Sequence, residues 1–328
     1  MKVVIENHIP YIKGLLEPWA QVEYLPAAEI TPHAVRDAQA LLVRTRTRCD
    51  AALLEGSSVE FIGTATIGTD HIDLEYCRRR GIAVSNAPGC NAPAVAQWVF
   101  ASIATWMRER GVTAASALRL GVVGVGHVGS IVARWGLQLG FQVVLNDPPL
   151  GLDASVDDCD IITFHTPLTR DGQWPTHHLC DAAMLARASR CRLILNASRG
   201  AVCDNGALLA WHGDIALDCW ENEPDINPEL LQKTIVATPH IAGYSIEGKQ
   251  RGTATIVGAF NDHFHTAAPV NMPQAPLKGA STVTLSAILA SYNPLHDTTA
   301  LRAALDDGDI ATRFEALRNN YPLRPELQ

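Results

Sequence analysis

The 328-residue chain has little charge and few aromatics: charged residues make up 18% of it, and Phe, Trp and Tyr together 6%. Its basic residues are outnumbered, 26 Lys and Arg against 34 Asp and Glu, for a formal net charge of −8. That balance argues against a nonspecific nucleic-acid binder. None of the eight cysteines forms a C-x-x-C pair, so neither a zinc site nor a disulfide framework is indicated and no metal is expected. No apolar run has the roughly 20 residues that a membrane-spanning helix needs. The nearest, Ala92 to Met107, contains Gln97 and reads as a buried helix. The opening Met1-Lys2-Val3-Val4-Ile5-Glu6 lacks a signal peptide's apolar core. A reduced, cytoplasmic protein without membrane or nucleic-acid partners is the expectation. Internal repeats and low-complexity segments are absent too.

What is present is apolar residue, 47% of the chain, enough at this length for two domains with proper cores. The most informative stretch is Arg119 to Gly129. Leu120–Val123 reads as a buried strand, Gly124, Gly126 and Gly129 give Gly-x-Gly-x-x-Gly, and Ile131–Leu139 has helical spacing. This is the context of a dinucleotide fingerprint. Gly124 permits the tight turn, Gly126 lets backbone approach a pyrophosphate, and Gly129 lets helix and strand pack closely. Three fixed glycines alone arise by chance in roughly one chain in ten of this length, so the following βα context decides. A second strand, Phe141–Leu145, runs into Asn146-Asp147, and Asp147 stands 147 − 124 = 23 positions after the first glycine. A carboxylate there accepts from both ribose hydroxyls and repels a 2′-phosphate, which points to NAD.

The fingerprint sits in mid-chain. Before it, Val3–Ile5, Val22–Leu25, Leu41–Val43, Val59–Ile62 and Ile82–Val84 read as strands, with helix-like stretches at Tyr11–Leu16 and His33–Ala38. Asn91 is a candidate N-cap, and Pro93 a first-turn proline, for a long helix to about Arg110. After the fingerprint come strands at Ile161–His165, Leu193–Asn196, Ile215–Asp218 and Ile235–Ala237. They bring the nucleotide domain to six, three on each side of a crossover. Past Ala267, Pro269, Pro273 and Pro276 punctuate a linker, Ser281–Leu285 reads as a strand, and Leu301–Leu305 and Ala311–Leu317 as short helices. The expected class is α/β. A Rossmann NAD domain (93–237) is inserted in a flavodoxin-like, doubly wound substrate domain (1–92 and 238–266). A small α+β segment (267–328) docks to a partner subunit.

Loops at the carboxyl ends of parallel strands form the sites of such sheets. Three of them carry groups able to act together: Asn196–Gly200 with Arg199, Asp218–Pro224 with Glu221 and Glu223, and Thr238–Gly243 with His240. Hydride removal from an alcohol carbon needs a base for the hydroxyl proton, and a histidine near neutrality suits it. A carboxylate on the other ring nitrogen fixes the tautomer, and an arginine fork holds a substrate carboxylate. Spacing does not choose between Glu221 and Glu223. Taken singly, an arginine at a strand end is usually solvated and a histidine after Thr-Pro usually structural. Their joint position on these loops is what favours chemistry. His177-His178 reads as a surface pair, and Cys203 and Cys219 as small core residues.

With these motifs the chain, from about Met1 to Thr266, resembles the D-isomer-specific 2-hydroxyacid dehydrogenases. Gly63–Asp73, Ala87–Ala92, Thr163–Leu168, His240–Lys249 and Phe314–Tyr321 are similar to a branch of that family acting on a phosphorylated four-carbon hydroxy acid. The resemblance implies NAD as cofactor, a homodimer, and Arg199, Glu223 and His240 as catalytic residues. It implies cofactor contacts at His127, Val128, Asp147, Thr166, Asp218 and Gly243, beside the glycines, and substrate contacts at Thr45, Thr66 and Tyr244. Glu223, in Glu-Pro, matches the family better than Glu221. Thr45 stands where a serine is common, and Gln97 where the family often has Glu. The alternatives are another 2-hydroxyacid dehydrogenase, such as one acting on 3-phosphoglycerate, and a non-catalytic dinucleotide sensor. The run Arg44-Thr45-Arg46-Thr47-Arg48 follows a strand, and if extended it segregates arginines from threonines by face. Arg44, nearest the strand end, is the candidate for holding the substrate phosphate.

Overall fold

The computed structural model describes residues 1–270 and 283–327. The chain divides into two compact units. One contains Met1–Asn91 and the described part of Ser245–Ala275; the other contains Ala92–Tyr244 and the described part of Pro276–Gln328.

In the first unit, strands β1 (Lys2–Glu6), β2 (Gln21–Leu25), β3 (Ala40–Val43), β4 (Phe61–Thr64) and β5 (Ala83–Ser85) form a five-stranded sheet in the order β2-β1-β3-β4-β5. Every pairing is parallel, and the order is the flavodoxin-like one. β3 and β4 are buried at every residue, as parallel strands covered on both faces must be. Alternate residues feed opposite layers. Val4, Leu41 and Val43 join one core, and Val3, Ile5, Ala40 and Leu42 the other. The second core is covered by Ile256, Val257 and Phe260 of the helix Ile246–Phe264. That helix starts at Ser245, whose hydroxyl accepts from the Gly248 N–H at 2.9 Å. The helical readings at Tyr11–Leu16 and His33–Ala38 are corrected. The first is a series of turns through Tyr11 and Gly14 at positive φ, and the second holds only the short helix Pro32–Val35.

In the second unit, β6 (Arg119–Val123), β7 (Gln142–Asp147), β8 (Leu152–Asp153), β9 (Ile161–Phe164), β10 (Leu193–Asn196), β11 (Asp214–Leu217) and β12 (Val236–Ala237) make a seven-stranded sheet. Its order is β12-β11-β10-β9-β6-β7-β8. The expectation of six strands, three on each side of a crossover, is corrected by β8. Pro148–Leu150 and Gly151, at φ +73°, turn the chain back so that two residues pair antiparallel to β7. A strand so short carries no period for sequence reasoning to detect. The helix Ala92–Glu109 is buried on nearly its whole circumference from Ala92 to Met107, so it is a core element. Asn91 does not cap it: its Oδ1 is buried with no hydrogen-bond partner among the described residues.

The described tail contains the helices Leu285–Ser291, Pro294–Asp307 and Ile310–Asn319. Of the strand expected at Ser281–Leu285, Ser281 and Thr282 lie outside the described residues, as do Pro273 and Pro276. Thr284 instead caps a helix, accepting from the Ala287 N–H, and Leu285 begins it. Several large apolar residues of the described tail are used inside its own chain. Leu301 and Phe314 enter one core layer of the second unit, and Val283, Ile288 and Tyr292 the other. Residues 238–244 also cluster with this unit, whereas the sequence boundaries grouped them with the first.

Candidate active site

The glycine loop follows β6 as its spacing requires. Gly124 sits at φ +86°, and a Cβ there would stand 2.8 Å from the His165 carbonyl carbon and the Thr166 nitrogen. A Cβ on Gly129 would fall 1.9 Å from the Gly124 oxygen, so helix and turn touch only because both are glycine. A Cβ on Gly126 would meet nothing within 4 Å, leaving its outer side open to a ligand. The helix His127–Gln138 begins there without a side-chain cap, so His127 and Val128 lie in a first turn whose N–H groups suit a phosphate. Asp147 ends β7 and accepts from the Val125 N–H at 2.6 Å, tying its carboxylate to the loop. Beside Gly124, the Thr166 Oγ1 is buried with no hydrogen-bond partner among the described residues. Desolvation of the half-buried His165 ring pushes its pKa down to about 3, so it stays neutral. An open glycine, free helix N–H groups, an anchored acid and an orphaned hydroxyl fit a dinucleotide.

The three loops expected to carry chemistry meet at the ends of β10, β11 and β12. Asn196, fully buried, organises the first. Its Oδ1 accepts from the Ser198 N–H and hydroxyl, and its Nδ2 donates to the Arg199 carbonyl at 2.9 Å. Gly200 then lets this loop lie against the acidic one; a Cβ there would fall 1.9 Å from the Trp220 oxygen. Asp218 is also buried. It accepts from the Thr238 hydroxyl and from the Ile241 and Ala242 N–H groups, so it shapes the His240 turn.

Glu223 and Glu221 divide their roles. Glu223 Oε2 lies 2.7 Å from His240 Nδ1, and its Oε1 accepts from the Trp220 N–H at 2.8 Å. Glu221 Oε1 lies 2.7 Å from His178 Nε2 and its Oε2 accepts from the Asn205 N–H. His178 is thus tied down and stacked on His177 at 4.0 Å, which is more order than a surface pair implies. His240 adopts a left-handed backbone, φ +57°, a conformation uncommon for non-glycine residues and kept where the surroundings impose it. Its side chain is 29% exposed. Burial works to lower the imidazole's pKa, but Cys219 and Glu223 hold it well above 6.5. Burial pushes the Cys219 thiol up, so that group stays neutral and Glu223 is the anionic partner. Burial works to raise Glu223 and the facing His240 overrides it, so its carboxyl titrates low. The structure thereby amends the reading of Cys219 as mere core: its sulfur lies within 4.8 Å of the ligand atoms of Glu223 and His240.

Arg324 was missed by sequence reasoning. Buried near the chain end, its guanidinium donates to the carbonyls of Ile241 (3.1 Å), Tyr244 (3.4 Å) and Ala94 (3.2 Å), and to that of Ala242. It also donates to Gln97 Oε1 at 3.3 Å, and the Tyr292 ring lies 4.2 Å beneath it. Gln97 in turn donates to Ser291 Oγ and the Pro325 carbonyl. The Gln for Glu difference thus has a structural sense, since a carboxylate accepts and cannot donate. Gly243 and Tyr244, half-buried, complete the turn that Arg324 holds.

Within the first unit, Thr66 Oγ1 lies 2.7 Å from Thr64 Oγ1 and donates to the Gly68 carbonyl. The 44–48 run is a turn and not an extended strand. Thr45 is exposed and Thr47 buried, so the threonines do not share a face. Arg44 is anchored through its N–H to Glu6 at 2.8 Å and through Nη1 to the His8 carbonyl at 3.0 Å. Arg48 pairs with Asp50.

Residues 3–272 match the family model described as D-isomer specific 2-hydroxyacid dehydrogenase, catalytic domain. The chain belongs to that family. An erythronate-4-phosphate dehydrogenase of Bacteroides thetaiotaomicron is 41% identical over 99% of this chain and 97% of its own length. One from Azotobacter vinelandii is 40% identical over 100% and 93%. Among solved structures, the D-lactate dehydrogenase of Aquifex aeolicus, complexed with NAD and lactic acid, superposes with a TM-score of 0.66 at 23% identity, covering 81% of this chain and 96% of that one. It shares the fold. No helix among the described residues is long and apolar enough to cross a membrane.

Proposed function

We propose that this protein oxidises 4-phospho-D-erythronate to the 2-oxo acid with NAD, a step of pyridoxal 5′-phosphate biosynthesis. The observation that carries a dehydrogenase here is the His240–Glu223 contact of 2.7 Å on the family's loops. The substrate assignment rests on the near full-length similarity to relatives bearing that name. His240 takes the hydroxyl proton through Nε2, since Nδ1 faces Glu223. Glu223 fixes the tautomer and stabilises the imidazolium. Arg199, on the Asn196-braced loop, orients the substrate carboxylate. NAD, held by Gly124, Gly126, His127, Val128, Gly129, Asp147 and Thr166, supplies the hydride acceptor. Asp218 and Gly243 support the cofactor side through the turn that carries His240. Thr45, Thr66, Tyr244 and Arg44 are read as substrate contacts, and residues 93–237, with 1–92 and 238–266, as the cofactor and substrate domains. A homodimer and a cytoplasmic location go with this reading.

NADH production with 4-phosphoerythronate, erythronate and 3-phosphoglycerate as parallel substrates tests it. Clear preference for the first is expected; preference for 3-phosphoglycerate would move the chain to another branch of the family. The cofactor should be NAD over NADP, because Asp147 sets a carboxylate where a 2′-phosphate would lie. Asp147→Ala should narrow that preference, read as the ratio of kcat/KM for the two cofactors. Equal use of both by the unaltered protein would contradict the role of Asp147.

A further inference from the structure

The tail contributes a second arginine to the neighbourhood of His240. Arg318 lies at the end of the helix Ile310–Asn319. One turn earlier, Phe314 is fully buried in the same core layer as Val202, Cys203 and Trp220, which flank the Arg199 and Glu223 loops. Beyond it, the Tyr321 ring packs edge-on to Tyr244 at 6.0 Å, and Arg324 is clamped to the Ile241–Tyr244 carbonyls. Arg318 is therefore fixed from both sides. Its Nε is buried and meets no hydrogen-bond acceptor among the described residues. Burial works to lower the pKa of its guanidinium, and Tyr244, to which it hydrogen-bonds, together with the charge of Glu223, raises it. Both Glu223 oxygens are already engaged, one by His240 and one by the Trp220 N–H. A desolvated guanidinium N–H without an acceptor is costly, and an anionic ligand relieves that cost.

We propose that Arg318, flanked by Tyr244, binds the phosphate group of the substrate in the same unit as the His240–Glu223 pair. This rests on the reading above that the substrate is a phosphorylated hydroxy acid. Arg199 is assigned to the carboxylate. Arg44, the other candidate for the phosphate, already bonds Glu6 and the His8 carbonyl, whereas the Arg318 Nε meets no acceptor among the described residues, and its planar fork suits the paired oxygens of a phosphate.

The test uses the full-length, NAD-loaded protein with Arg318→Gln and Arg318→Lys. Lysine keeps the charge and the aliphatic stem, so it guards against loss of fold. Binding of inorganic phosphate, measured by calorimetry, should weaken about 10–100-fold in Arg318→Gln and by less in Arg318→Lys. KM for 4-phosphoerythronate should rise by a similar factor, while any activity on unphosphorylated erythronate keeps its KM. Unchanged phosphate affinity in Arg318→Gln, or no phosphate binding by the unaltered protein, overturns the proposal. So does an equal KM rise on both substrates, or an effect confined to kcat and the pH profile, which would make Arg318 a neighbour of Glu223 and nothing more. If the unaltered protein binds phosphate but does not oxidise 4-phosphoerythronate, the substrate reading fails, while the phosphate titrations still judge Arg318.

Discussion

His240→Ala is expected to abolish most turnover while leaving cofactor affinity nearly unchanged. The ring's Nδ1 faces Glu223, so Nε2 is the atom assigned to the proton, and positioned acid–base catalysis typically supplies ~10²–10⁴-fold. The loss should appear in kcat as well as kcat/KM, since the proton moves in the transition state. The partner acid gives the sharper result. Oxidation requires neutral His240, so kcat/KM must fall as pH drops through its pKa. Cys219 and Glu223 together hold that pKa well above 6.5 against the effect of burial, so the acid limb should lie on the alkaline side of an ordinary histidine. Glu223→Gln removes the anion and retains a hydrogen-bonding amide, so the limb should move toward acid as kcat declines. In the reverse, reductive direction protonated His240 is the active form, and the same substitution should bring the loss of rate to lower pH. An unmoved limb would show that Glu223 does not act through His240. Glu221→Gln is the matched control. That carboxylate is committed to His178 and the Asn205 N–H, so the limb should stay in place.

Much of this site was legible because it lies on parallel strands whose ends the sequence marks. Leu193–Asn196 reads as an apolar strand and is one, and Arg199 follows it at the distance a tight loop allows. The glycine turn was legible for a steric reason: the contacts of 1.9 Å and 2.8 Å that a Cβ would make at Gly129 and Gly124 leave no other residue type. The choice between Glu221 and Glu223 was not legible from spacing. It depends on which way two side chains of one loop point, and that is set by Trp220 and by the left-handed Asn222 between them. The strand β8, the Tyr11–Leu16 turns and the helix that begins at Leu285 escaped because each is short or departs from its periodicity. Asn196 and Asp218 looked like strand ends; their side chains turn out to bind the loops that follow. Arg324 was invisible for a different reason. Its partners, Ala94, Gln97 and Ile241–Tyr244, are remote in sequence, and a lone arginine near a chain end reads as solvated.

Arg324→Met should therefore be among the most damaging substitutions outside Arg199, Glu223 and His240, the residues proposed as catalytic. Methionine fills much of the volume but donates nothing, so four main-chain carbonyls, those of Ala94, Ile241, Ala242 and Tyr244, lose their donor together. Each buried acceptor left unmade costs about 1–3 kcal/mol. With partial relaxation the sum should be roughly 3–5 kcal/mol, the scale seen when a buried charged network loses one member. That corresponds to a fall of roughly 6–20 °C in the Tm of the unit that carries it. Three of those carbonyls lie within four residues of His240, so the imidazole should lose its register with Glu223. Misplacement of a reacting group by about 1 Å costs about 10²-fold in rate, and kcat should fall accordingly even at temperatures where the variant remains folded. Arg324→Lys separates charge from geometry. An ammonium keeps the cation over Tyr292 but has three donors and no planar fork, so stability should recover in part and kcat less. Gln97→Glu probes the same clamp from the other side. It strengthens the pairing with Arg324 while removing the donor to Ser291 and the Pro325 carbonyl, and its effect on Tm should be far smaller than that of Arg324→Met. A Met variant with unchanged Tm and full kcat would mean that the Ile241–Tyr244 turn holds its shape without the chain's end.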